Sequence, residues 1–267
     1  MEIINGELHN WLQLIFRWVH VVASILWLGL LYFFVLIQAQ AARNIDEAGR
    51  RAAIPQLMPR ALYWFRWAAV WTWVSGFLLA ILMYYLRGGL FEEQGGNPWL
   101  WLGIYLASLV VSLAIYQAIM TRVARPVLAN ALALLLFLAI YVLLDRAGGF
   151  IGAALYIHAG MAMGSAMAMN VWLSVWPAQR RIVAAIAEGA PPAEKDARAV
   201  ATRARQNAYM SVPLVFLMIA NHYPTIVNAS HEVAGLPLRD WYLLILLVVG
   251  FIAVRLLLDK AERVKAV

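Results

Sequence analysis

Apolar residues fall in long runs along this chain, separated by short polar links. The runs predict helices over about 12–40, 60–86, 98–120, 127–144, 150–176, 206–222 and 239–258. Each is close to the roughly 20 residues a helix needs to cross a bilayer, and too long for a strand. The pattern therefore predicts an all-α, polytopic membrane bundle of seven spans, one transmembrane domain over residues 1–267. Ala41 to Pro59 reads as a polar linker, and 178–205, rich in Ala, Arg and Glu, as an amphipathic cytoplasmic insertion. The first run lacks an obvious cleavage site and is kept as a mature span rather than a signal peptide. No internal repeat stands out.

Composition agrees. Apolar residues make up 64% of 267 and charged residues 13%, against about 45–50% and about 25% for soluble domains; mean hydropathy is +0.74. Cysteine is absent, which removes disulfides, thiolate metal sites, iron–sulfur clusters and covalently attached c-type haem. The formal charge of +7 is explained by topology. Arg43, Arg50, Arg122, Arg180, Lys195 and Lys260 lie with most of the loop cations in the links after spans one, three and five and in the tail. The opposite links hold only Arg87, Arg146 and Arg239. By the positive-inside rule the N-terminus is outside and the tail cytoplasmic, with no nucleic-acid partner. Trp11, Trp99, Trp101 and Trp241 then fall at the outer boundary, where an aromatic belt forms.

Chemistry concentrates on histidine. His158 lies inside a stretch without a single Lys, Arg, Asp or Glu, FIGAALYIHAGMAMGSAMAMNVWLSVW. An ionisable residue at membrane depth is costly and marks a functional hypothesis. Gly160 and Gly164 bare one helix face beside it, room for a neighbouring helix or a flat cofactor. His20 and His158 each sit eight residues into a descending helix, roughly 12 Å below the outer boundary, and His222 ends a helix rising to the same face. Two such imidazoles suit the axial positions of a haem b, with Arg17 one turn from His20 as a propionate partner. Three histidines on one copper or zinc ion are the competing metal reading. The plainer readings are a histidine bonded to a neighbouring helix, an Arg17 or Arg66 that snorkels to headgroups, Met161, Met163, Met167 and Met169 as packing, and Asn170 as a helix–helix hydrogen bond. His9 and His231 read as solvated.

Several stretches together, RWVHVVASILWLGLLYFF, LYWFRWAAVWTWVSGFLLAILMYY, IHAGMAMGSAMAMNVWLSVWPAQR and QNAYMSVPLVFLMIANHYP, resemble the membrane domain of the bacterial cytochrome-c-linked urate oxidases. NHYP and the histidine-bearing fifth span are the most specific part. The resemblance implies a helical bundle in the bacterial inner membrane. It also implies oxidation of urate to 5-hydroxyisourate, with electrons passed to cytochrome c. His20, His158, Asn170, Asn207, Tyr209, Asn221, His222 and Tyr223 match its polar motif positions, and Asn221 and Tyr223 join the cofactor-binding set on that basis. Full-length members carry a C-terminal cytochrome c domain; without cysteine here, the expected acceptor is a separate c-type cytochrome or cytochrome subunit. The second span has Ala68 and Ala69 where an acidic residue is expected.

The function expected is thus a b-haem oxidoreductase with its redox site near the periplasmic side. Glu92, Glu93 and Asp145 would greet a basic cytochrome. The alternative is a non-catalytic subunit of a larger respiratory complex, and a transporter or a retinal-binding receptor is disfavoured for want of inverted repeats and a buried Lys. No residue is singled out as catalytic.

Overall fold

In the computed structural model, which describes residues 6–91 and 96–264, the chain is almost wholly helical. The helices are α1 (Gly6–Tyr32), α2 (Ala39–Asn44), α3 (Glu47–Ala80), α4 (Pro98–Arg122) and α5 (Pro126–Val142). They continue as α6 (Gly152–Asn170), α7 (Trp176–Ala187), α8 (Glu194–Ala220), the short α9 (Pro224–Val227) and α10 (Leu238–Arg263). One two-stranded hairpin, β1 (Glu232–Val233) with β2 (Leu236–Pro237), precedes α10. Four π-helical stretches, Phe33–Gln38, Ile81–Tyr85, Leu143–Ala147 and Val171–Val175, run on from α1, α3, α5 and α6.

Among the described residues, five helices are long and apolar enough to cross a membrane: Gly6–Asn44, Glu47–Tyr85, Pro98–Arg122, Val127–Ala147 and Leu238–Arg263. The runs expected at 150–176 and 206–222 are helical as well, but are not among those five. The reason is compositional. α6 is built of Gly, Ala, Ser and Met around His158, and its side chains are largely buried inside the protein. A helix shielded by its neighbours does not need a lipid-soluble surface. α8 starts at Glu194 in polar sequence and becomes apolar only after Gln206.

Two boundaries differ from the pattern. The expected linker 41–59 is mostly helical: the chain breaks only at Ile45–Asp46, where Asp46 Oδ1 accepts from the Gly49 N–H at 2.8 Å, as a cap does. α3 then runs through Pro55 and Pro59. The insertion 178–205 is no separate element, because α7 and α8 extend the spans on either side of a turn at Gly189 (φ +74°). Arg181 of α7 and Asp196 of α8 join across that turn, Nη2 to Oδ1 at 2.6 Å. Asn97 caps α4 through the Trp99 and Leu100 N–H groups, with Pro98 in the first turn where its missing donor costs nothing.

The chain divides into two compact units. The first holds the segment up to Arg17 with Gly76–Ala166 and Leu214–Ile245; the second holds Trp18–Ser75, Met167–Pro213 and Leu246–Val267. In the second, Ala208, Val254 and Leu258 form a small core, and Gly250 brings α10 against Pro213 of α8.

Candidate functional site

In the first unit, α6 carries His158 into complete burial. Its Nδ1 lies 2.7 Å from the Ala154 carbonyl one turn earlier. A carbonyl only accepts, so Nδ1 holds the proton and Nε2 the lone pair. Nε2 accepts from the Tyr85 hydroxyl at 2.7 Å. Tyr84, Tyr85, Tyr105 and Phe150 surround the ring at centroid distances of 5.8, 5.7, 4.9 and 5.2 Å, all edge-to-face. Tyr105 of α4 also donates to the His158 backbone carbonyl at 2.9 Å.

The backbone explains how consecutive Tyr84 and Tyr85 both reach one imidazole. They lie in the π-helical turn Ile81–Tyr85, whose wider winding shifts the helical register, a feature frequent at functional sites. Phe150 is set by the segment before α6, where the Ile151 N–H donates to Leu90 O at 2.9 Å. Tyr84 donates to Asn221 Oδ1 at 3.3 Å, linking the NHYP turn to the box. His222 and Tyr223 themselves are exposed.

The bare face beside His158 is filled by protein. A Cβ on Gly160 would lie 2.2 Å from Met218 Cε and 3.3 Å from Leu217 Cβ, and Gly164 faces Leu214. Both glycines therefore admit α8 against α6, the helix-packing option, and leave no flat slot there. The NHYP segment packs as closely at Gly152, where a Cβ would meet Val227 O at 1.5 Å.

In the second unit, His20 shares half of this arrangement. Its Nδ1 sits 2.9 Å from the Thr72 carbonyl and 3.3 Å from Ser75 Oγ, so its lone pair is likewise on Nε2. Among the described residues nothing hydrogen-bonds that Nε2. In the same unit, Asn170 donates to Asn207 Oδ1 at 2.8 Å, and Asn207 donates to Met167 O at 3.0 Å. Asn170 is thus the helix–helix hydrogen bond expected of it. Tyr209 packs on Phe251. Ala68 and Ala69 are buried.

Whether these residues suit a haem is decided by the ring nitrogens. An axial imidazole needs a held Nδ1–H and an open Nε2. His20 meets both conditions. His158 meets the first and fails the second, since Tyr85 and the aromatic box close it off. Arg17, half-buried, reaches only Met83 Sδ, at 3.5 Å, among the described residues, which leaves its charge for an anionic partner. No group of three or more His, Asp or Glu among the described residues is gathered to hold a metal ion. The three-histidine copper or zinc site is therefore not formed there.

Two sequence assignments need correction. His9 is buried and bonded to Gln13 on α1 rather than solvated; His231 is exposed as expected. Asp145 is buried too. It pairs with Arg239 at 2.8 Å and with Arg146 at 3.0 Å, while Asp240 takes the Tyr141 hydroxyl at 2.7 Å and faces Arg146 at 3.5 Å. A carboxylate so committed does not greet a cytochrome. Glu92 and Glu93 lie outside the described residues. The tyrosine box and this ion cluster escaped the sequence reading; the signals were the doublet Tyr84–Tyr85 and the charges at helix ends, Asp145, Arg239 and Asp240.

Five helices long and apolar enough to cross a membrane, and a tyrosine-held, enclosed histidine in the first unit, define an all-α protein with membrane-like helices. Residues 47–266 match the family described as Urate oxidase N-terminal, and the chain belongs to that family. The match takes in His158, Asn170, Asn207 and the NHYP turn, while Arg17 and His20 precede it. No curated protein and no solved structure matches the chain.

Proposed function

We propose that this chain is a bacterial inner-membrane oxidoreductase of the urate oxidase kind, with seven spans and the N-terminus outside, oxidising urate to 5-hydroxyisourate and passing electrons to a periplasmic c-type cytochrome. The observation that carries the reading is His158: a neutral imidazole at the centre of an apolar helix, its Nε2 lone pair held on a tyrosine hydroxyl, in a chain of this family. The conversion adds water to urate and releases two electrons and two protons. The protons need an acceptor, and Nε2 of His158 takes one through the Tyr85 hydroxyl that now donates to it. Neutral imidazole bonded to a positioned hydroxyl is the arrangement of a general base.

The electrons need a carrier. His20, with Nδ1 anchored on Thr72 O, is the residue we assign to hold a haem b, and Arg17 is its propionate partner. Bound there, a haem supplies one-electron steps between a two-electron substrate and a one-electron acceptor. His158, Gly160 and Gly164 are dropped from the haem-contact set for the reasons of geometry given above. His222, exposed beside Tyr223 in the first unit, is kept as a candidate ligand by itself.

The test is reduction of cytochrome c by detergent-purified protein on adding urate. The reading expects urate-dependent reduction in the wild type, lost in Tyr85→Phe by about 10²–10⁴-fold, the usual worth of a general base. A second reading, a non-catalytic membrane subunit of a respiratory complex, is favoured by the complete enclosure of His158. It predicts no urate-dependent reduction and co-purification with haem-bearing subunits.

A further inference from the structure

Arg66 of α3 is surrounded by rings. Its Cζ lies 4.3 Å from the Trp176 ring centroid, 5.5 Å from Trp172, 5.8 Å from Tyr63 and 5.9 Å from Trp67. Among the described residues it meets no carboxylate, and its Nε is buried without a hydrogen-bond partner. The same holds for Trp172 Nε1, an N–H donor in the same cage. A second cation, Arg180, lies over the same Trp176 ring, 5.3 Å from its centroid. Cation–π attraction stabilises such a guanidinium but satisfies none of its in-plane N–H donors. Two guanidiniums that meet no acid among the described residues are the electrostatic complement of an anion with several oxygens.

Two of these rings do double duty. Tyr63 and Trp67 also wall an open, predominantly apolar groove of about 510 Å³ between α1 and α3, with Trp18, Trp64 and Trp71 along it. That volume is in the range of about 300–1,000 Å³ typical of small-molecule sites. An apolar trough that begins beside an unneutralised guanidinium suits an amphiphile with an anionic head. We infer that the Arg66 guanidinium binds the phosphate of a membrane phospholipid, one acyl chain of which lies in the α1–α3 groove. The lipid neutralises Arg66 and covers tryptophans that are otherwise outward-facing; Trp18 is 69% exposed.

Native mass spectrometry of the whole chain in detergent tests this, using dioleoylphosphatidylglycerol, dioleoylglycerol with the same chains and no phosphate, and inorganic phosphate. The phospholipid is expected to stay bound and raise Tm, and neither other probe to match it. Arg66→Gln is expected to weaken phospholipid binding about tenfold and Arg66→Lys less, since Lys keeps the charge but lacks the planar fork. Trp71→Ala, on the groove wall away from the guanidinium, is expected to weaken it severalfold while leaving the fold intact. Equal binding of dioleoylglycerol, equal stabilisation by inorganic phosphate, full binding by a folded Arg66→Gln, or a dimer that excludes added lipid would each overturn the proposal.

Discussion

His20 and His158 look alike in sequence and behave differently in the fold. Both follow a helix start by eight residues in the expected topology, and both use Nδ1 to hold a backbone carbonyl, Thr72 for one and Ala154 for the other. The difference lies at the second nitrogen. Tyr85 occupies Nε2 of His158 and four aromatic rings close around it; Nε2 of His20 has no such partner among the described residues. One imidazole is built into the protein's interior. The other is held in register with a coordinating atom to spare. Matched depth on two helices therefore does not imply a matched role, because the role is set by the neighbours the other helices bring.

The largest consequence is on stability. His158→Ala opens a cavity inside four rings and orphans the Tyr85 hydroxyl, at a cost of about 3–5 kcal/mol. His20→Ala, half-buried, is expected to cost about 1–2 kcal/mol. Thermal denaturation of the two variants in one detergent measures the gap, and equal losses would erase the distinction. Glycine variants come next. Gly152→Ala drives a Cβ into the Val227 carbonyl, a backbone atom that cannot rotate away, whereas Gly160→Ala meets the mobile end of Met218. The first should exceed the second, and the second should cost about 1–3 kcal/mol; the reverse order would mean that α6 is not clamped as described. Tyr85→Phe leaves Nε2 of His158 unpaired in a dry site, about 1–3 kcal/mol, without touching His20.

The smallest effect lies outside both sites. Arg181 holds the Asp196 carboxyl below the ordinary carboxylate range, chiefly through their hydrogen bond. A carboxyl so depressed contributes stability above its unfolded value of about 3.9, and that contribution is lost as pH falls through the folded value. Asp196→Asn should therefore lower Tm at neutral pH and lose its difference from the wild type in acid below about pH 4. A difference independent of pH would mean the pair does not act electrostatically.

Much of this fold was legible because bilayer physics leaves so few options. Hydropathy located the long apolar helices, and the start expected at 98 is kept to the residue, where Asn97 caps α4. The helical stretch 47–59 was misread because Arg50, Arg51, Pro55 and Pro59 look like a linker, though a helix extended beyond the apolar zone accommodates all four. His158 and Asn170 were found from polarity in apolar surroundings, and the NHYP turn from the family resemblance. Tyr84, Tyr85 and Tyr105 were not, because tyrosine is ordinary in such helices and only a π-helical turn aims two neighbours at one ring. Gly160 was correctly read as a bare face, but sequence cannot say what fills it; Met218 does.

The central claim is that His20 and not His158 offers the coordinating nitrogen. The reduced-minus-oxidised spectrum of purified wild type, His20→Ala and Tyr85→Phe tests it directly. The account predicts a b-type spectrum in the wild type and Tyr85→Phe and none in a folded His20→Ala; a spectrum that survives His20→Ala, or is missing from the wild type, contradicts it.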